Sequence, residues 1–206
     1  MSIPIPILET PRLRLRPLCV GDGQCIQALF PHPEIVEYMA AAIPWPYPAD
    51  GAARFLEITL PKMESGRQYD WAITLKEAGD GLLVGIISLY PHGDDSRGFW
   101  IGQDYQRRGL MTEAVAAVND FAFDVLGMPH LTLNNAEPNL GSHRLKEAWG
   151  AEIIETNDDV AYVGGRFRQV RWRLTREAWK AAQSAGGDAG GVAGGVETPG
   201  RESPFG

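Results

Sequence analysis

The sequence predicts a single α/β (α+β) domain in which helices flank a mixed sheet. Segments with the alternating apolar pattern of strands are interspersed with amphipathic segments of helical period, an order typical of α/β domains. The 206 residues are enough for one domain and a tail. With 44% hydrophobic and 22% charged residues, the composition suits a globular protein with a buried core.

The predicted element order is strand, two helices, a run of strands, and then helix, strand, helix and strands. The first strand is RLRLRPL, which alternates basic and apolar residues until Pro17 ends it. The following elements are helices over 22–38 (broken by PHPE) and 52–65, strands over 69–75, 82–90 and 97–105, a helix over 112–126, a strand over 130–135, a helix over 139–150 and a strand over 151–155. A last hairpin is predicted to join strands around 160–163 and 166–175 through Gly164 and Gly165.

The loop between the first two helices contains IPWPYPAD, residues 43–50. Prolines at alternate positions exclude both a helix and a central strand there. The aromatic side chains of Trp45 and Tyr47 either pin this loop to the body of the domain or line a substrate site. The sequence leaves both roles open.

The chain is predicted to divide into a domain, residues 1–183, and a tail, residues 184–206. The tail consists largely of Gly, Ala, Pro and Ser and has almost no large apolar residue. It cannot bury enough apolar surface to offset the entropy of ordering the chain. We therefore expect the tail to be disordered.

Charge and cysteine content exclude several classes of protein. The net charge of −7 argues against an interface dominated by nucleic-acid phosphates, so no DNA partner is expected. The two cysteines, Cys19 and Cys25, make neither a disulfide framework nor a zinc site, and both are expected to be reduced. The N-terminal segment lacks the pattern of a signal peptide, and no apolar run reaches the roughly 18 residues of a membrane helix. We expect a cytoplasmic protein with no membrane partner.

A glycine turn joins a predicted strand to a predicted helix in WIGQDYQRRGLM, where Arg107 and Arg108 precede Gly109. A helix N-terminus offers unpaired backbone N–H groups and partial positive charge, which suit a phosphate. The two arginines can add charge-assisted hydrogen bonds. A single glycine is a weak signal by itself, since an ordinary tight turn also contains one.

A second polar site follows about thirty residues later, where NLGS places Asn139 and Ser142 at the start of a helix. The intervening length fits a helix and a strand, which would return this site beside the glycine turn. Either residue is also a suitable helix cap whatever the function of the protein.

The two segments together resemble a known family. QRRGLMTEAV resembles the Gln/Arg-x-x-Gly-x-Gly/Ala pyrophosphate loop of the GNAT N-acetyltransferases, and NLGSHRLKEAWGAE resembles their Asn-x-x-Ser segment. ETPRLRLRPL and PWPYPAD…ARFL are similar to the RimJ/RimL branch, which includes N-terminal acetyltransferases of ribosomal proteins. The resemblance covers about residues 8–180 in order.

The resemblance implies a single GNAT-like domain whose central mixed, mostly antiparallel, twisted sheet is flanked by helices. It also implies acetyl-CoA as donor, with no metal. Backbone N–H groups of the loop are implied to bind the pyrophosphate, and the end of the preceding strand is implied to pair with the pantetheine and polarise the thioester carbonyl. Asn139 is implied to form a hydrogen bond with the pantetheine, and Ser142 to lie near the sulfur. The implied cofactor-binding residues are Gln106, Arg107, Arg108, Gly109, Leu110 and Met111 of the loop, Ile101, Gly102 and Gln103 of the strand, and Asn139 and Ser142. Met111 stands where the family most often has Gly or Ala, so its side chain must point into the protein.

Acetyl transfer needs a neutral amine, a polarised carbonyl and a protonated leaving thiolate. Ser142 is the motif-matched hydroxyl that can protonate the thiolate, as a catalytic residue, unless it serves only as cap or cofactor contact. No spacing singles out a general base, and the candidates near strand ends are Asp70, His92, Asp94, Asp95, Glu137 and Glu155.

Three functional interpretations remain. The first is an N-acetyltransferase in which a primary amine, from a protein N-terminus or a small molecule, attacks acetyl-CoA directly. The second is a non-catalytic acyl-CoA-binding or sensing module, since no catalytic carboxylate stands out. A nucleotide-phosphate binder is the weakest, because neither Gly-x-x-x-x-Gly-Lys-Ser/Thr nor Gly-x-Gly-x-x-Gly occurs. Both a monomer and a homodimer are compatible with the sequence.

Overall fold

The first of two sheets contains five antiparallel strands in the order β1-β2-β3-β4-β5. The structure, a computed structural model, describes residues 3–79 and 81–188. The five strands are β1 (Leu8–Glu9), β2 (Leu13–Pro17), β3 (Tyr69–Leu75), β4 (Leu83–Leu89) and β5 (Arg97–Ile101). Successive side chains point to opposite faces, so Trp71 and Ile73 of β3 join one apolar cluster while Ala72 joins another. Both faces of this sheet are therefore covered.

Helices cover the two faces of the first sheet. On one face lie α1 (Gly23–Leu29), α2 (Pro33–Val36) and α3 (Gly51–Glu64). On the other lies α4 (Leu110–Asp120), which a π turn over Phe121–Val125 extends, and the Phe121 ring meets Trp71 edge-on at 5.4 Å. The longest described helix, α3, has 14 residues, and no described helix is both long and apolar enough to span a bilayer.

The second sheet contains three antiparallel strands in the order β6-β8-β7. Its strands are β6 (His130–Ala136), β7 (Glu152–Tyr162) and β8 (Gly165–Thr175), and α5 (Leu140–Ala148) connects β6 to β7. A last helix, α6 (Arg176–Asp188), buries Trp179 against the main core, where its ring lies 6.4 Å from that of Trp149. This arrangement confirms the predicted α+β fold with an open sheet and flanking helices.

The two sheets separate between β5 and β6, and we call the space between these strands the wedge. Helix α4 runs back along β5, because Asn119 near its end accepts a hydrogen bond from Arg97 at the start of β5. Strand β6 therefore starts beside the start of β5 and runs in the same direction. At this closed end Ser96 N–H donates to Thr132 O at 2.7 Å and Ser96 Oγ accepts from Thr132 N–H at 3.1 Å.

No ladder continues along the wedge in the described part of the chain, and the cause is local. Ser96 O accepts from Tyr90 N–H rather than from β6. The Asp95 carboxylate accepts hydrogen bonds from the backbone and side-chain amides of Asn134. Backbone groups that could form a parallel ladder between β5 and β6 thus already have other hydrogen-bond partners. The ends of these strands, at Ile101 and Ala136, can therefore lie apart.

The largest differences from the predicted elements lie at the end of β5, in β7 and at the C-terminal helix. The strand predicted over 97–105 ends at Ile101 and passes into a 3₁₀ turn. The segments 151–155 and 160–163, predicted as separate strands, form the single long strand β7. Helix α6 was not predicted, and it includes residues 184–188 of the segment that we expected to be a disordered tail. The rest of that tail, residues 189–206, lies outside the described residues.

A buried ion pair fixes the turn after β2. Asp22 accepts hydrogen bonds from Arg16 Nη1 at 2.9 Å and Nη2 at 2.5 Å, and from Cys19 N–H at 2.9 Å. Burial alone would raise the pKa of Asp22, but these hydrogen bonds outweigh it and hold the pKa below its usual value. The lowered pKa means that ionised Asp22 stabilises the folded state above the unfolded pKa of about 3.9 and loses this contribution as pH falls through the folded pKa.

We therefore expect Asp22→Asn to lower the free energy of unfolding by about 2 kcal/mol at pH 7, the scale of hydrogen bonds to a charged group. As pH falls from about 3.9 through the lower pKa of folded Asp22, the difference from the unaltered protein should shrink, because the carboxyl becomes protonated first in the unfolded chain and then in the folded chain. Urea unfolding between pH 3 and pH 7 measures both effects. Asp50→Asn is the matched control, since Asp50 forms an exposed pair with Arg54 whose loss should cost less than about 1 kcal/mol. Equal losses for the two variants would contradict this account.

Candidate functional site

The glycine turn forms where β5 leads into α4. Gly109 is the N-cap of α4 and has a left-handed backbone, with φ of +73°, which a side chain disfavours. Arg107 is also left-handed, with φ of +59°. Residues 106–109 are exposed, and the first helical hydrogen bond joins Glu113 N–H to Gly109 O. The N–H groups before Glu113 in the helix thus lack helical partners and are available to an anion.

Arg12, which precedes β2, stabilises the glycine turn through hydrogen bonds. Its Nη1 donates to Arg108 O at 2.8 Å, and its Nε donates to Glu113 Oε2 at 2.6 Å. Glu113 also accepts from Thr10 Oγ and from Arg12 N–H. Burial acts to raise the pKa of Glu113, but these hydrogen bonds dominate and lower it. No local pattern in the sequence indicates these contacts, because they join residues about 100 positions apart.

Several side chains of the predicted loop contact the protein itself, so the loop offers a ligand mainly its backbone groups. Leu110 is buried in the main core, and the half-buried Met111 packs against that core, so the Met111 side chain points into the protein as required. Gln106 Nε2 donates to Ile101 O at 3.3 Å. Arg108 lies 3.5 Å from Glu77. Beside the turn lies a cavity of about 400 Å³ lined by Pro11, Arg12, Leu75, Lys76, Glu77, Arg108 and Leu110.

One wall of the wedge is the outer edge of β5. Because β5 is the last strand of its sheet, the backbone groups of Ile101 on the side away from β4 face the wedge. Gly102 N–H points the other way and donates to Val84 O at 2.9 Å, so this donor is not available to a thioester carbonyl. The Gln103 side chain binds Glu34 of α2 at 2.7 Å, away from the wedge.

The other wall is the start of α5. The Asn139 side chain accepts from Ser142 N–H at 3.1 Å, so Asn139 is the helix cap and the Ser142 hydroxyl is not needed for capping. Ser142 is buried, and its Oγ lies 2.5 Å from Nζ of Lys146, one turn further along α5. Lys146 was not among the predicted site residues.

Lys146 is 3% exposed, and its surroundings shift its pKa to about 7. Burial is the largest cause, the positive charge of Arg97 adds to it, and the negative charge of Asp95 opposes it. Asp95 is itself half-buried, and burial raises its pKa. Arg97 is buried with Nε and Nη1 unpaired, and its guanidinium stays cationic. A charged network thus fills the closed end of the wedge.

The candidate bases fall into two groups. Asp70 is completely buried, with its carboxylate bonded to Ser88 Oγ at 2.6 Å and Gln68 Nε2 at 2.7 Å, and burial raises its pKa. It cannot touch an acceptor directly. Asp95 lies at the closed end of the wedge. The other four are exposed: His92, Asp94, Glu137 and Glu155.

A short segment, residues 37–40, connects the helical side of the first sheet to the β7–β8 hairpin, and we call it the strap. Gly164 N–H donates to Glu37 O at 2.9 Å, and Val163 N–H donates to Met39 O at 3.0 Å. In the neighbouring loop Tyr47 packs edge-on against the Phe30 ring at 5.2 Å, which supports the pinning role, whereas Trp45 stays exposed.

Known proteins share both the sequence pattern and this architecture. Residues 12–152 match the family described as acetyltransferase (GNAT) domain. An uncharacterised N-acetyltransferase of Bacillus subtilis, YoaA, is 25% identical over 144 residues, which are 68% of this chain and 79% of that protein.

Two solved structures illustrate the shared fold. Mycobacterium smegmatis RimJ in complex with CoA-disulfide superposes with a TM-score of 0.70 at 17% identity, covering 84% of this chain and 89% of that one. Spermidine N-acetyltransferase from Vibrio cholerae, in complex with CoA and spermine, superposes with a TM-score of 0.68 at 18% identity, covering 83% and 99%. These structures have the same fold, and the family match over residues 12–152 spans the glycine turn, both walls of the wedge and Ser142. The chain therefore belongs to the GNAT acetyltransferase family and is an acyltransferase.

Proposed function

We propose that this enzyme transfers an acetyl group from acetyl-CoA to a primary amine by direct attack of the amine on the thioester. Two observations support the proposal: the left-handed Gly109 turn where β5 leads into α4, and the buried Ser142 hydroxyl near the start of α5. Two relatives of this fold are solved with CoA species bound, which supports the choice of donor.

The pyrophosphate of acetyl-CoA would bind at the glycine turn. Backbone N–H groups between Gln106 and Met111 would donate to its oxygens, and the Arg107 and Arg108 guanidinium groups would add charge-assisted bonds. The fit is supported by the absence of a side chain at Gly109, where the backbone must approach the phosphate closely.

The pantetheine would enter the wedge between β5 and α5. On one side it would pair with the outward-facing N–H group of Ile101, and either that N–H group or the one of Gln103 would polarise the thioester carbonyl. On the other side Asn139 would contact the pantetheine. Ser142 would give its hydroxyl proton to the departing thiolate.

The acceptor amine must lose a proton, because an amine near its solution pKa is mostly cationic at neutral pH. Asp70 is excluded from direct contact by its burial, so the proton would leave through water toward an exposed carboxylate or the solvent. Among proteins of this fold, one is named RimJ and another acetylates spermidine. We accordingly propose a protein N-terminus or a small cationic amine as acceptor.

Calorimetric titration with acetyl-CoA, CoA and ATP, followed by thiol release in the presence of an amine panel, tests the proposal. We expect acetyl-CoA and CoA to bind and ATP to bind much more weakly, since the wedge suits a pantetheine arm. Peptides with free N-termini and polyamines form the panel, and N-acetylated peptides are the matched control. Binding of acetyl-CoA without acetylation of any amine would instead support an acyl-CoA sensor.

A further inference from the structure

The buried side of α5 holds a lysine that the proposed reaction does not yet use. Ser142 and Lys146 lie four residues apart, so one helical turn stacks their side chains on the same face. Both are almost fully buried, at 7% and 3% exposure. A lysine is rarely buried without a carboxylate partner, yet within the described residues its nearest hydrogen-bond partners are Ser142 Oγ at 2.5 Å and Ser142 O at 3.5 Å.

The hydrogen bond between these two side chains has a defined direction while Lys146 is protonated. A lysine ammonium has three donors and no acceptor, so the Ser142 oxygen must accept from it. The hydroxyl proton of Ser142 must then point to another acceptor. Lys146 is close enough to Asp95 and Arg97, at the closed end of the wedge, for their charges to act on it. Ser142 is one turn nearer the start of α5, which follows the end of β6 at Ala136.

We infer that Lys146 acts through Ser142 to orient and replenish the proton that Ser142 gives to the CoA sulfur. The inference rests on the proposed acetyl transfer. As the carbon–sulfur bond breaks, its electron pair goes to sulfur, and the Ser142 O–H proton moves to that sulfur. An ammonium proton of Lys146 moves to the Ser142 oxygen and leaves a neutral amine. The proton that the acceptor amine loses enters the solvent, and solvent returns one to Lys146, so protons balance.

The charged neighbours of Lys146 allow this cycle near neutral pH. The groups that act on it from β5 and the residues before it are Asp95 and Arg97, and α4 contributes the neutral amide of Asn119 beside Arg97. Burial and Arg97 together bring the pKa of Lys146 to about 7, so both of its protonation states are accessible. A lysine with its ordinary pKa would release a proton to serine far less readily.

Nuclear magnetic resonance of lysine labelled at Cε with carbon-13 tests the inference without any acceptor. The chain has only four lysines, Lys62, Lys76, Lys146 and Lys180. The Lys146 signal is the one missing from Lys146→Met, and Lys180→Met is the matched control at an exposed ion pair. We expect Lys146 to titrate near neutral pH, and CoA to shift its titration more than dethio-CoA, which lacks the sulfur.

Single-turnover rates give the second measurement. Lys146→Met should reduce the acetyl-transfer rate about tenfold or more and remove its fall at alkaline pH, with acetyl-CoA affinity within about twofold. Combined with Ser142→Ala it should cost little beyond the serine change alone. Equal responses to CoA and dethio-CoA, or an unchanged pH profile in Lys146→Met, would overturn the inference while leaving acetyl transfer intact. A protein that binds neither acetyl-CoA nor CoA would refute the proposed function and this inference together.

Discussion

Replacing Ser142 with alanine is expected to lower kcat by about 10²–10⁴-fold, the range typical of a lost general acid, and to leave acetyl-CoA affinity nearly unchanged. The reason is that the thiolate would then depart without a proton donor in contact with it. The N-terminal cap of α5 should be retained, because Asn139 Oδ1 accepts a hydrogen bond from the backbone N–H of Ser142, which alanine also has. Steady-state kinetics, calorimetry and thermal unfolding on this single variant separate the possible roles.

The matched control is Ser184→Ala, which removes a helical hydroxyl bonded to Lys180 O in α6, far from the wedge in sequence. Its kcat should equal that of the unaltered protein. Weaker acetyl-CoA binding with normal kcat in Ser142→Ala would identify Ser142 as a pantetheine contact. A loss confined to the Tm would leave it a structural residue.

Changing Gly109 to valine should raise the Kd for acetyl-CoA by about 100-fold. A valine Cβ has room in the protein, because the nearest atom, Arg12 Nη2, is 3.5 Å away. The loss should therefore come from the phosphate side, where the new side chain and the shift out of a left-handed backbone displace N–H donors. Losing about 3 kcal/mol of charge-assisted hydrogen bonding corresponds to that factor.

Gly127→Val is the control for backbone strain. Gly127 has a similar φ of +66° and open space around it, but it lies between the π turn and β6. Both variants should lose about 1–2 kcal/mol of stability, the cost of a left-handed side-chain residue. Only Gly109→Val should lose acetyl-CoA affinity, as measured by calorimetry. A folded Gly109→Val protein that binds acetyl-CoA normally would argue against the phosphate assignment.

Features that depend on neighbouring residues could be predicted from the sequence. Strand β3 has the predicted bounds, 69–75, because its apolar residues are bounded by turn residues on both sides. The turn at Gly109 and the cap at Asn139 were also identified, since each requires a particular residue type at one backbone position. Their roles toward acetyl-CoA remain predictions.

Features that depend on distant contacts could not be predicted. Where the two sheets separate, the Asp95 carboxylate accepts hydrogen bonds from Asn134, a contact across 39 positions that no local pattern reveals. Helix α6 has few apolar residues and is held mainly by Trp179. The sequence does contain a signal for Lys146 as a site residue. It shares with Ser142 and Trp149 the spacing of a buried helical face, where a charged residue is unusual.

The strap has a consequence for how the sequence of this enzyme can change. Its backbone bonds at Glu37 and Met39 hold the hairpin of the second sheet, while the helix α2 just before it packs on the first sheet. Gly164 has no room for a side chain there, since a Cβ would lie 2.6 Å from Glu37 Cγ and 2.9 Å from Glu37 O. The position of one sheet relative to the other therefore depends on how strap and hairpin fit, and we expect related enzymes to vary these two segments together.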